Sequence, residues 1–462
     1  MAFDRVSKCL RAVSGLLVVL AMGMGLFGSG DSGAREIDDT AAQAHKRSPM
    51  ASIDAALAAA FRIDIKSIDV SYELDPKLDR AWGEAKVLFR MRPGQSRPLI
   101  HFDPLKSNCS SGVTIEEIKL NGERLNGQDP KDLRRRVIGS SAERALEFQR
   151  DLAPKVQHEL TMRWQLWGCF SKERPGWFIS SVDDTIGLGN EVIWPTINSP
   201  EELALHRIQV RVRGQEDYLI LGSGDLVSTE SKDLTVHTLK TPREVSSYTV
   251  LLAAIPSQDV QVEEFKVGDT PITLVSTQSR KTNQRARKIV EATLPRLAKD
   301  FGKLPVPFVK VLLIDWEDGM EYFGATITGL DSLEHELVHM YWGCTLLLKT
   351  WRDTWLDEAI VVWWLERDDL DDLPKNFKSD LVSAQSPIEI AFDESAYDEG
   401  AMIMKEVAAD LGGDRAMIKF LRRLHQRRVF VPFTTRDFVD DLVVASRKRK
   451  LRAKFERWVF GD

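Results

Sequence analysis

The sequence predicts an α+β chain in which an N-terminal antiparallel β domain precedes a mainly helical domain. Three observations carry this. Between residues 62 and 258, short apolar runs with strand-like alternation are punctuated by Gly, Pro and Asn. From residue 259 onward the apolar spacing changes to the threes and fours of a helix. One helical segment in that second half carries two His at a spacing that brings them onto one face, and a later apolar one carries a Glu.

The chain has 462 residues, 43% hydrophobic and 29% charged, enough for two or three cores and unlike a disordered chain. A formal charge of -6 and a pI near 5.9 argue against nucleic acid as the main partner. Residues 1–34 read as an export signal, because Arg5, Lys8 and Arg11 precede the uncharged run from Ala12 to Gly30. Cleavage near Ser32-Gly33-Ala34 is the preferred outcome; retention as a single membrane anchor is the alternative, since the run is nearly long enough to span. Either way the body is exported, to a periplasm or the cell exterior. Residues 35–61 read as a linker, with one helical turn in the Ala-rich stretch from Ala55 to Ala60. Cys9 lies in the leader; export permits a Cys109–Cys169 disulfide, with burial of Cys109, Cys169 and Cys344 as small hydrophobes an equal alternative.

In the β domain, 62–258, the plainest strands are Lys86 to Met91, Arg207 to Arg213 and Tyr248 to Leu252. In the second of these, Ile208, Val210 and Val212 share a face. In the second domain, 259–462, Thr282 to Asp300 reads as a helix with Val290, Leu294 and Leu297 on one stripe and a kink expected at Pro295. Phe308 to Ile314 is its one clear strand, and helices follow.

Asp331 to Gly343 opens on N-cap residues and closes on Gly, as a short helix does. His335 and His339 then stand at i and i+4, so both imidazoles leave one face and can meet a single ion. Zinc accepts two imidazoles and a carboxylate while keeping a position for water. Glu358, with eighteen residues between it and His339, lies in the apolar segment Thr354 to Glu366 and would supply that carboxylate. A buried carboxylate needs such a partner. Glu336, adjacent to the first imidazole, would act as general base on the attacking water. The alternative, a chance H-E-x-x-H with Glu336 a solvated acid, accounts poorly for a Glu within so apolar a helix.

The run His335-Glu336-Leu337-Val338-His339-Met340-Tyr341-Trp342-Gly343, followed by Trp355-Leu356-Asp357-Glu358-Ala359, resembles the zinc signature of the aminopeptidase N type of aminopeptidases, within the gluzincin metallopeptidases. The resemblance implies a thermolysin-like catalytic domain, one zinc ion and peptide substrates with a free N-terminus. Gly319-Met320-Glu321-Tyr322 resembles the family's Gly-x-Met-Glu-Asn segment, with Asp318 where the first Gly stands, and implies that Glu321 binds the substrate's α-amino group. Ala396-Tyr397-Asp398-Glu399-Gly400-Ala401 resembles the segment whose tyrosine donates a hydrogen bond to the oxyanion, a role that falls on Tyr397. Tyr322, Asp357, Ala359 and Glu399 stand where Asn, Asn, Gly and Lys are commoner, and only thirteen residues separate Glu321 from His335. No counterpart of the family's large C-terminal helical domain follows, which leaves an open cleft or a partner subunit as expectations. The basic residues from Arg422 to Lys454 read as a solvated helical face in preference to a contact with anionic lipid. A zinc aminopeptidase is therefore the reading; a zinc endopeptidase and a non-catalytic peptide-binding protein on the same fold are the alternatives.

Overall fold

A computed structural model describes residues 57–58, 60–102, 112–138, 143–171, 174–180, 193–214, 217–231, 234–382 and 395–461. The export segment, most of the linker and Cys109 lie outside these residues. Cys169 is disulfide-bonded, so the reading of it as a plain buried hydrophobe is corrected, whereas Cys344 is a buried free thiol.

Period-two alternation builds the first large sheet. β1 (Ile63–Asp75) buries Ile63 and Ile65, then switches phase to bury Ile68, Val70, Tyr72 and Leu74. The switch coincides with a bulge between Ile65 and Ser67, which inserts the one residue that a change of face requires. With β2 (Arg80–Met91), β3 (Gly112–Leu120), β4 (Glu123–Leu125), β5 (His158–Trp167), β6 (Leu203–Val212), β7 (Asp225–Ser231) and β8 (Leu234–Lys240), the spatial order is β7-β8-β6-β1-β2-β5-β3-β4.

Two expectations for this region are corrected. β1 and β6 run parallel, from Ser67 opposite Leu205 to Leu74 opposite Val212, so the sheet is not purely antiparallel. The more than one hundred residues between them allow the long return that a parallel pair needs. The strand expected over Tyr248 to Leu252 is instead a 3-10 turn at Ser247–Thr249, with the strand starting at Leu252 and ending at Pro256. There the Thr249 hydroxyl donates to the Ser246 carbonyl, and the Tyr248 hydroxyl reaches the Gly343 carbonyl at 3.2 Å, so side chains hold the backbone in a turn.

The second half is not mainly helical at its start. A five-stranded sheet of β9 (Gln261–Val267), β10 (Thr270–Ser276), β11 (Val309–Leu313), β12 (Gly319–Tyr322) and β13 (Ala325–Thr328) runs in the order β9-β10-β11-β13-β12. β12 and β13 are four residues each and almost wholly buried, so they show no alternation by which a sequence could announce them. Seven helices follow or flank this sheet among the described residues: α1 (Arg280–Phe301), α2 (Leu333–His339), α3 (Trp355–Glu366), α4 (Ser395–Leu411), α5 (Asp414–Arg428), α6 (Thr435–Ser446) and α7 (Lys450–Val459). The Ser279 side chain caps α1 by accepting from the Thr282 amide, and α1 runs through Pro295 to Phe301 without ending there.

Much of the basic C-terminal face is ion-paired. Arg427 and Arg428 share Asp441, Lys450 and Lys454 share Asp410, and Arg452 pairs with Asp440. Among the described residues no helix is long and apolar enough to cross a membrane.

Candidate metal centre

α2 is shorter than the segment from Asp331 to Gly343 that the sequence marks out, because the chain turns at Gly343, whose φ of 85° is left-handed. That turn matters to the imidazole behind it. Trp342 presents its carbonyl to His339 Nδ1 at 3.2 Å, so Nδ1 is the donor, and in the neutral ring Nε2 is the nitrogen that carries the lone pair. His335 Nε2 lies 3.0 Å from His339 Nε2. From α3, Glu358 Oε2 reaches both nitrogens, at 3.1 Å from His335 and 3.4 Å from His339.

Those three edges test the fit of an ion. Donors at about 2.0–2.1 Å from one tetrahedral zinc lie roughly 3.3–3.4 Å apart, close to the observed separations. The donor set is two imidazoles and one carboxylate, which suits zinc. His339 and Glu358 are buried, whereas the His335 side chain keeps 23% of its surface exposed and marks the open side of the site.

Close helix packing delivers Glu358. A Cβ on Gly400 would lie 2.8 Å from the Ala359 Cβ, so Gly400 lets α4 approach α3 at the turn that holds Glu358. This gives a physical account of Ala359, which stands where Gly is commoner in the resembling family: the missing methyl is on the opposite helix. The same approach sets Tyr397, one turn before Gly400, with its ring centroid 6.2 Å from that of His335 and the two planes inclined by 30°.

Glu336 lies on the buried side of α2. Its Oε2 is buried and has no hydrogen-bond partner among the described residues. A Cβ on Gly319 would fall 2.5 Å from Glu336 Oε1, so the bare glycine of β12 makes the room for this carboxylate. Glu321, two residues along β12, is buried with an oxygen within 4.8 Å of donor atoms of His339 and Asp357. The sequence places Gly343 at the close of the first helix, Gly319 in the segment before Glu321 and Asp357 beside Glu358, but it gives none of them a part in the site, since their contacts cross between elements.

The electrostatics follow from packing four carboxylates around two imidazoles. Burial pushes the carboxyls of Glu336, Glu321 and Asp357 up, and repulsion from Glu358 adds to it in each case. For Glu358 burial acts in the same direction, but His339 and His335 outweigh it and hold this carboxyl below the ordinary range. For His339 burial favours the neutral ring; Glu358 and Glu321 reverse that and raise its pKa well above the usual value. A grouping so rich in buried negative charge is matched to a cation.

The fold and the donor set can now be compared with known proteins. Solved structures that match include an M1 zinc metallopeptidase from Deinococcus radiodurans, at a TM-score of 0.64 and 19% identity over 87% of this chain and 94% of that one. The chain has the M1 zinc metallopeptidase fold. Legionella pneumophila aminopeptidase A in complex with aspartic acid matches at a TM-score of 0.69 and 15% identity, over 87% of this chain and 49% of its own. Native yeast LTA4 hydrolase matches at 0.62 and 13%, over 87% and 68%. No protein-family model and no curated protein matches the chain. Asp357 and Ala359, which depart from the resembling family's signature, adjoin Glu358 and are buried in α3.

Proposed function

We propose that this chain is a zinc aminopeptidase that removes the N-terminal residue from peptides. The observation that carries the reading is the convergence of His335 Nε2, His339 Nε2 and Glu358 Oε2 at separations of 3.0 to 3.4 Å, beside the buried Glu336 carboxylate. His335, His339 and Glu358 hold the ion, which when bound polarises the scissile carbonyl and lowers the pKa of water. Glu336 takes the proton from the attacking water and returns it to the departing amine. Tyr397 donates a hydrogen bond to the carbonyl oxygen as negative charge grows there. Glu321 accepts from the substrate's α-ammonium, which limits cleavage to one residue. β12 is the outer strand of its sheet among the described residues. That a variant of the Deinococcus radiodurans enzyme was crystallised with a Tyr-Ser-Ala substrate supports peptides as the substrate class. The disulfide at Cys169 agrees with export to an oxidising compartment.

The test compares aminoacyl chromogenic substrates with their N-acetylated counterparts, with and without chelator, in the wild-type protein and Glu336→Gln. The reading expects turnover of the free-amine substrate alone, lost on chelation and in the variant. Equal cleavage of acetylated substrates would replace it with an endopeptidase; absence of turnover in zinc would leave a peptide-binding protein.

A further inference from the structure

We infer that Tyr248, to which the zinc reading assigns nothing, is a positioning residue: its hydroxyl fixes the Gly343 turn and so the place of His339 among the metal donors. The inference rests on that reading. Tyr248 belongs to the 3-10 turn Ser247–Thr249 in the first half of the chain, and that one turn meets all three segments that carry the site. The Tyr248 hydroxyl donates to the Gly343 carbonyl at 3.2 Å, four residues beyond His339. The Tyr248 ring stands edge-on to Trp351, with centroids 5.0 Å apart and planes inclined by 66°, at the start of the short turn that leads into α3 and Glu358. The Thr249 carbonyl accepts from the Phe323 amide at 2.8 Å, immediately after β12 and Glu321.

The first of these contacts acts on the least constrained residue of the site. Gly343 is buried and left-handed, and a residue without a side chain resists rotation of its own dihedrals less than any other. Both peptide groups that flank it bear on His339. The Trp342 carbonyl accepts from His339 Nδ1 at 3.2 Å, and the Cys344 amide donates to the His339 carbonyl at 3.3 Å. Removing the Tyr248 hydroxyl takes a donor from the buried Gly343 carbonyl, a cost that rotation about Gly343 relieves. That rotation carries the Trp342 carbonyl with it and turns the His339 ring out of line with His335 and Glu358. The ring contact with Trp351, by contrast, needs no hydroxyl.

Tyr248→Phe removes the hydroxyl and keeps the ring. Tyr72→Phe is its control: the buried Tyr72 hydroxyl donates to the Ile193 carbonyl at 2.6 Å, and its ring packs on Trp164 and Phe178 within the first half of the chain. Each variant loses one buried hydrogen bond to a carbonyl, so both should lower the Tm of the metal-free protein. Zinc is titrated into metal-free wild type and both variants in competition with a chelating dye, and the ligand-field spectrum of each cobalt form is recorded. Tyr248→Phe is expected to weaken zinc binding about 10-fold, the lower end of the range for partners behind a metal ligand, and to shift the cobalt spectrum. Tyr72→Phe should leave both readings as in wild type. Zinc affinity within twofold of wild type in Tyr248→Phe overturns the inference and leaves the zinc reading standing. So does an equal loss in both variants, or a Tyr248→Phe chain that does not fold, since the hydroxyl then serves stability alone. A wild-type protein that takes up no zinc removes both the inference and the zinc reading.

Discussion

Substituting Gly319 by Ala places one methyl group against the Glu336 side chain, the general base of the proposed mechanism. The new Cβ would fall 2.5 Å from Glu336 Oε1 and 2.6 Å from its Cδ and Cγ, where ordinary contact begins near 3.4 Å. Relief therefore requires a shift of about 0.9 Å, and because three atoms of Glu336 are involved, rotation of the carboxylate alone cannot supply it. A misplacement of about 1 Å in a catalytic group costs on the order of 100-fold in rate, or about 2.7 kcal/mol of transition-state stabilisation. The expected result is kcat/KM on an aminoacyl anilide reduced roughly 100-fold, with zinc content unchanged. Tm should move little, since the displaced group is the end of a flexible side chain. Activity within threefold of wild type would refute the reasoning, and so would a loss that tracks loss of zinc.

Three further outcomes follow from the same geometry. Tyr397→Phe should lower kcat by about 100- to 1,000-fold, the usual effect of losing one oxyanion donor, with KM nearly unchanged; a rise in KM alone would move Tyr397 to substrate binding. Burial lowers the pKa of His206 and of His425 from 6.5 to about 4. The folded state then binds fewer protons than the unfolded one, so stability present above pH 6.5 is lost as pH falls towards 4, by about 3 kcal/mol for each ring. Urea midpoints at pH 7 and pH 4.5 should show the loss, and His425→Phe should flatten it; equal slopes in variant and wild type would exclude His425 from it. Chelation should lower Tm by removing a ligand that binds only the folded state, worth about 4 kcal/mol where zinc stands at a thousand times its Kd. An unchanged Tm in the demetallated protein would mean that the buried carboxylates need no ion.

What the chain alone determined is local. The i, i+4 spacing of His335 and His339 follows from the helical period, so a short helix suffices to bring their Nε2 atoms to 3.0 Å. Alternation over β6 likewise reports a half-buried strand, because it has one apolar face. Glu358 was legible as an acid in an apolar helix that must find a partner, and by its place in the resembling signature. Tertiary structure decided the rest. β12 and β13 have no period to read, because both their faces are buried. The parallel pairing of β1 with β6, the bare Gly319 under Glu336, the close crossing at Gly400 and the place of Asp357 behind His339 all join residues far apart in the chain. Periodicity records which face of an element is apolar; it carries no record of which other element that face will meet, and His335, His339, Glu358, Glu336 and Tyr397 come together where several such faces meet.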